Sequence, residues 1–134
     1  MQNVVKTFLV IDDEPAIRQL LVEILKWHCP QAVCYEAEDG LEGLEKACQL
    51  CPDFIFVDGL LPQMEGPDLA ALLRHKPQTQ HSVLIGITGQ NRQSYLYTGL
   101  DKYCDRVLIK PFNVDDIRAV LDQLMISTPQ VVSH

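Results

Sequence analysis

Four short apolar runs in this chain each end on a residue able to hold phosphate or metal. Phe8-Leu9-Val10-Ile11 leads into Asp12-Asp13-Glu14, Phe54-Ile55-Phe56-Val57 into Asp58, Val83-Leu84-Ile85-Gly86-Ile87 into Thr88, and Val107-Leu108-Ile109 into Lys110-Pro111. Unbroken apolar runs of this length mark strands buried on both faces, and stretches of helical period stand between them. That alternation predicts an α/β fold of βα units around a parallel sheet.

The first strand is expected near 6–11, and Pro15 suits the first turn of a helix whose buried face would carry Ile17, Leu20, Leu21, Ile24 and Leu25. Cys29-Pro30 ends it. A short strand from Ala32 to Tyr35 leads through Glu38-Asp39-Gly40 to a helix with Leu41, Leu44, Ala47 and Cys48 on one side, closed by Pro52. The third strand is read as Asp53 to Val57, followed by the loop Gly59 to Gly66 and a helix with Leu69, Leu72 and Leu73 inward. Strand four spans about 83–87. Residues 90–101 suit a strand or a helix, and helix is preferred because parallel strands need a crossover there. After the fifth strand, near 106–109, Asn113 is placed to cap a helix facing the sheet with Val114, Ile117, Val120, Leu121 and Leu124. The result is one doubly wound domain over residues 1–126, with 127–134 expected as a flexible tail. In such sheets ligands bind beyond the carboxyl ends of the strands, the edge where Asp12, Asp13, Asp58, Thr88 and Lys110 fall.

Composition narrows the function. A net charge of −7 with only 11 basic residues argues against direct nucleic-acid binding, which needs a basic face. No run approaches the length of a membrane span and no signal segment is evident, so a cytoplasmic protein is expected. Five scattered cysteines do not form a disulfide framework and are read as reduced thiols.

Three converging carboxylates raise one another's pKa or recruit a cation, and Mg²⁺, an oxygen-seeking ion that shares its shell with phosphate oxygens, is the natural choice. A carboxylate beside Mg²⁺ can attack phosphorus to give an acyl phosphate, with a lysine neutralising the transferring oxygens. Asp58 stands alone at a central strand end and is the expected nucleophile, while Asp12 and Asp13 form a pair suited to the metal. Lys110 supplies the positive charge. Thr88 offers a hydroxyl to a phosphoryl oxygen, and its reorientation toward a new anion would begin a switch.

The acidic pair, Asp58 followed by Leu61-Pro62 and Gly66, then Thr88, then Lys110-Pro111-Phe112 resemble in their order the response-regulator receiver domain of two-component systems, over essentially the whole chain. The resemblance implies a flavodoxin-like (βα)5 sandwich with strand order 2-1-3-4-5. It implies Asp58 as phosphoacceptor, with Mg²⁺ held by Asp13, Asp58 and the backbone carbonyl of Leu60, and by Asp12 largely through water. It also implies a cis Lys110-Pro111 bond and a switch through Thr88, the position of Val107, and Pro111. The partners implied are a histidine kinase or phosphotransfer protein and a downstream effector, and the chain would be a signalling receiver that catalyses only its own phosphorylation and dephosphorylation.

Plainer readings stand beside these. Asp13 or Glu14 could serve only to cap the first helix. Cys48 and Cys51 have CxxC spacing without a second ligand pair, and the four histidines, at 28, 75, 81 and 134, do not converge on the acidic edge. Trp27 is read as a core or edge residue, with a partner surface as its alternative. Two departures from the family bear on output. An aromatic usually stands where this chain has Val107, with Tyr103 nearby as a weak substitute, and Gly59 after the phosphoacceptor would loosen the loop carrying Leu60. Leu60 and Gln90 occupy the positions that tune phosphoryl lifetime in the family. The chain is therefore expected to be a phosphorylatable receiver that signals through a partner-binding surface, whose apolar and aromatic residues also permit a homodimer. Its rivals are a phosphate-independent interaction module with a broken switch and a small Mg²⁺-dependent aspartyl-phosphate phosphatase. The second is disfavoured because Leu60 offers no general acid.

Overall fold

A computed structural model describes residues 5–127. Five parallel strands, β1 (Thr7–Ile11), β2 (Val33–Ala37), β3 (Phe54–Asp58), β4 (Val83–Thr88) and β5 (Arg106–Ile109), form one sheet in the order β2-β1-β3-β4-β5. Five helices alternate with them: α1 (Pro15–His28), α2 (Gly40–Leu50), α3 (Gly66–His75), α4 (Tyr95–Tyr103) and α5 (Val114–Ser127). The fold class and strand order expected from the sequence are therefore those observed. The tail expected at 127–134 lies, from residue 128 on, outside the described residues, as does His134.

Alternation along the strands builds two cores. Leu9, Ile11, Ile55, Val57 and Leu84 face α2, α3 and α4, where Ala47, Leu69, Leu73 and Leu100 meet them. Phe8, Val10, Phe54, Phe56, Ile85 and Ile87 face α1 and α5, where Leu21, Leu25, Ile117 and Leu121 close the layer, and the rings of Phe8 and Phe54 stack at 4.9 Å. Both faces being covered is why β1, β3 and β4 read as unbroken apolar runs. The edge strand β2 is only partly covered, with Val33 and Tyr35 exposed, and it runs to Ala37 rather than to Tyr35 because Ala37 still pairs with Ile11.

Several helix faces differ from the expected stripes. On α2, Leu41 is exposed while Gly40, Gly43 and Ala47 are buried. A Cβ on Gly43 would stand 2.6 Å from the Ile11 side chain, so the helix approaches the sheet on its small residues and Leu41 is turned away. On α3 the buried set is Gly66, Leu69, Ala70 and Leu73, with Leu72 exposed, and on α1 Leu20 is exposed. Trp27, expected in the core or at its edge, is 78% exposed on the last turn of α1, near the first turn of α5. The segment before α4 enters the helix only at Tyr95, where Ser94 caps it by accepting from the Tyr97 N–H. Asn113 and Asp116 cap the start of α5 reciprocally, as expected for Asn113.

At the far end of the sheet, Arg74 on α3 ties three segments together. Its guanidinium donates to the carbonyls of Tyr103 and Ser82, at 2.7 Å each, and to the Asp105 carboxylate at 2.7 Å. At the near end the loop after β3 is closed by Gly66 N–H donating to the Gly59 carbonyl at 2.9 Å. A Cβ on Gly66 would lie 2.3 Å from the Asp58 carbonyl oxygen and 2.7 Å from the Gly59 Cα, both backbone atoms with nowhere to retreat. Gly66→Ala is therefore expected to lower stability by about 1–3 kcal/mol, the usual range for forced overpacking, read as a shift in the urea midpoint. A midpoint equal to wild type would mean that this close approach is not a constraint.

Candidate functional site

Each strand delivers its chemistry at its carboxyl end. The register places Thr88 opposite Ile109, so Lys110 leaves β5 level with the end of β4, and its backbone N–H donates to the Thr88 carbonyl at 2.7 Å. β1 and β3 run side by side, Val57 opposite Ile11, so Asp12 and Asp58 emerge together. Ligand oxygens of Asp12, Asp13 and Asp58 all lie within 4.8 Å of one another. They open on a cleft of ≈ 650 Å³ whose lining includes Asp13, Asp58, Leu60, Thr88, Gln90 and Lys110.

Burial makes this cluster electrostatically tense. Asp12 is fully buried and Asp58 is 4% exposed. One Asp12 oxygen, Oδ1, accepts the Glu14 backbone N–H at 2.9 Å, whereas Oδ2 has no hydrogen-bond partner. Its nearest cation is the Lys110 ammonium at 3.4 Å, and a buried carboxylate oxygen that no hydrogen bond satisfies fits a position that faces a cation or its water. Burial, then the neighbouring Asp12 charge, pushes the Asp58 carboxyl from 3.8 up to about 7, against the pull of Lys110. Burial also raises Asp12, opposed by the Glu14 N–H and by Lys110. For Lys110 burial works against the charge, yet Asp58, Glu14 and Asp12 outweigh it and hold the ammonium above its ordinary value.

The ammonium itself lies 3.1 Å from Glu14, 3.4 Å from Asp12 and 3.5 Å from Asp58. Glu14 occupies the N-cap position of α1 but makes no side-chain cap bond, so the plain capping reading does not account for its carboxylate. Its contact with Lys110 was not legible in the sequence, where 96 residues separate the two. Arg18 adds a further constraint by donating to the Asp12 carbonyl at 2.6 Å and to Glu36 at 3.1 Å.

Thr88, the hydroxyl expected on this edge, is buried, and its side-chain oxygen accepts from the Gln90 N–H at 3.1 Å. Leu60 is exposed at the cleft mouth. The Lys110-Pro111 bond is cis. Val107 pairs with Gly86, two residues short of Thr88 along β4, and packs on the α2–α4 side of the sheet. Tyr103 is fastened by its carbonyl to Arg74, at the end of the sheet away from the cleft. Gly59 is tied to β4 and lies close against α4. Its N–H donates to the Ile87 carbonyl at 2.7 Å, and a Cβ there would meet Leu100 at 3.2 Å, so the glycine provides room for α4. Cys48 and Cys51 sit at the end of α2, and all five cysteines are free thiols.

A sheet of this order with acids at the ends of β1 and β3, and a lysine at the end of β5, defines a receiver-type fold. The sequence matches the response regulator receiver domain family over residues 8–122, and the chain belongs to that family. Such domains are signalling modules rather than classical enzymes. Among relatives, the chain is 33% identical over 132 residues to the DNA-binding dual master transcriptional regulator RpaA of Synechocystis, covering 94% of this chain and 53% of that protein. It is 27% identical to the chemotaxis protein CheY of Listeria monocytogenes, covering 86% of this chain and 94% of that one. The chain thus spans about half the length of the first relative and nearly all of the second. The receiver domain of sensor histidine kinase PA1611 from Pseudomonas aeruginosa PAO1, solved with a magnesium ion in its active site cleft, shares the fold. Its TM-score is 0.81 at 18% identity, over 92% of this chain and 100% of that one. No helix among the described residues is long and apolar enough to cross a membrane.

The buried Asp58 carboxyl makes stability depend on pH. The folded state keeps this proton up to about pH 7 while the unfolded chain releases it near 3.8, so the metal-free protein loses stability as pH rises through that window. Asp58→Asn removes the ionisation and is expected to raise the metal-free Tm at pH 8 by about 2–5 °C. At pH 5, where Asp58 is already neutral in the fold, the gain shrinks. Thermal melts in a chelator read both, and an equal shift at the two pH values would contradict the assignment.

Proposed function

We propose that this chain is a phosphorylatable receiver that takes a phosphoryl group from a phosphohistidine donor onto Asp58 and signals through a partner-binding surface. The observation that carries this reading is the buried Asp58 carboxylate between a second buried acid and the Lys110 ammonium, at the mouth of an open cleft. An Asp58 oxygen attacks phosphorus, the donor nitrogen leaves with the electron pair of the P–N bond, and an acyl phosphate results. Lys110 lies close enough to neutralise charge on the transferring oxygens, and Thr88 supplies a hydroxyl on the same edge. Asp12 Oδ2, which accepts no hydrogen bond, and the clustered oxygens of Asp13 and Asp58 suit Mg²⁺, with the Leu60 carbonyl as a further ligand by family resemblance. Bound there, Mg²⁺ would add to the charge neutralisation that Lys110 alone gives these mutually repelling carboxylates.

The donor is a histidine kinase or phosphotransfer protein, and the reader is a downstream effector, by analogy with relatives that are regulators and kinases. The new phosphoryl carries about −1.5 to −2 charges, enough to draw Thr88 toward it. Val107 in place of an aromatic is what favours the second reading, a phosphate-independent interaction module, in which partner binding ignores Asp58.

With Mg²⁺ and a small acyl phosphate, intact mass should rise by one phosphoryl group in the wild type and not in Asp58→Asn. Mg²⁺ alone should raise the wild-type Tm by a few degrees, in proportion to ln(1 + [Mg²⁺]/Kd), and this rise should be reduced in Asp13→Asn. A mass gain that survives Asp58→Asn would sink the phosphoacceptor assignment. Equal capture of the effector by wild type and Asp58→Asn under phosphorylating conditions would favour the phosphate-independent module.

A further inference from the structure

Of the three carboxylates around Lys110, the nearest is not on the pocket floor. Glu14 Oε1 accepts from Nζ at 3.1 Å, while Asp12 and Asp58 stand at 3.4 and 3.5 Å. The fold does not force this contact. The Glu14 side chain is 59% exposed, makes no cap bond, and its backbone N–H is already served by Asp12. Its carboxylate reaches Lys110 because the ammonium attracts it. The Lys110 side chain is only 19% exposed, so a ligand has few approaches to its donors.

We propose that Glu14 is a positioning residue that draws Lys110 toward the rim of the cleft and competes with an incoming phosphoryl group for its ammonium, slowing the loading of Asp58. This rests on the phosphorylatable-receiver reading. An ammonium has three donors, and a phosphoryl dianion arriving beside Asp58 calls on the same ones. Glu14 also lines the cleft and adds like charge where that dianion must settle. Loading therefore requires Lys110 to exchange one anion for another. Because Glu14 is exposed, the effect has the modest size and salt sensitivity of a surface ion pair.

Glu14→Gln keeps the size and an acceptor oxygen but removes the charge, and Glu14→Asp keeps the charge on a shorter arm. The test measures initial phosphorylation of the full chain by acetyl phosphate at saturating Mg²⁺, by intact mass, at low and high ionic strength. Glu14→Gln should load about two- to fivefold faster than wild type at low salt, and the ratio should fall toward one at high salt. Glu14→Asp should lie between them. Mg²⁺ affinity by calorimetry should stay within about twofold of wild type, as for a charge that serves the lysine rather than the metal. Wild type loading at Asp58 with the glutamine variant equal or slower overturns this inference alone. A rate gain indifferent to salt, or a larger fall in Mg²⁺ affinity, assigns Glu14 another role and overturns it too. No loading at Asp58 in either protein overturns both this inference and the receiver reading.

Discussion

Two buried carboxylates a few ångströms apart can both ionise only if a cation faces them, and in this chain the fixed cation is Lys110. The lysine comes from the last strand and the acids from the first and third, so the pocket exists only when the whole sheet is in register. Slipping β5 by one residue would turn Lys110 to the other face and leave Asp12 and Asp58 to each other. The Lys110 N–H bond to the Thr88 carbonyl helps hold that register at the point where it matters. The strained carboxyl of Asp58 is thus a consequence of topology: parallel strands collect their ends on one edge, and the edge carries acid.

That edge was legible because burial on both faces makes central strands read as apolar runs, and the residue after each run must sit at the carboxyl end of its strand. Asp12, Asp13, Asp58, Thr88 and Lys110 could be placed from this alone. The helices were less legible. Hydrophobic period assumes that the largest side chains face the core, and α2 breaks the assumption. Gly43 comes so close to Ile11 that a methyl group would collide, so Leu41 is turned outward. The signal was present as the small residues Gly40, Gly43 and Ala47 at helical spacing. Trp27 and Leu72 escaped for another reason: an amphipathic stripe can be wider than the surface available to cover it.

Long polar side chains left no signal at all. Glu14 reaching Lys110, Arg74 gathering the Tyr103 and Ser82 carbonyls with Asp105, and the Tyr95 hydroxyl donating to Glu65 at 2.7 Å all join segments remote in sequence. Such contacts arise from the meeting of elements and have no period of their own. They explain why the chemistry was easier to read than its control, since carboxylates at strand ends are fixed by topology while their neighbours are chosen by reach.

Gly59 joins these two levels. Read as a flexible residue, it suggested a loose loop after the phosphoacceptor, but its N–H is bonded to Ile87 and its missing side chain gives Leu100 of α4 a place against the β3 end. Gly86 makes room for the same leucine, and Gly99 brings α4 onto Pro67 of α3. With Tyr95 bonded to Glu65 beside that loop and Tyr103 to Arg74, α4 is fastened to α3 at both ends. A displacement of the Asp58 loop therefore meets α4 through Leu100 directly. Val107 pairs with Gly86 and packs against the same cluster that holds Leu100, so it borders that contact from β5.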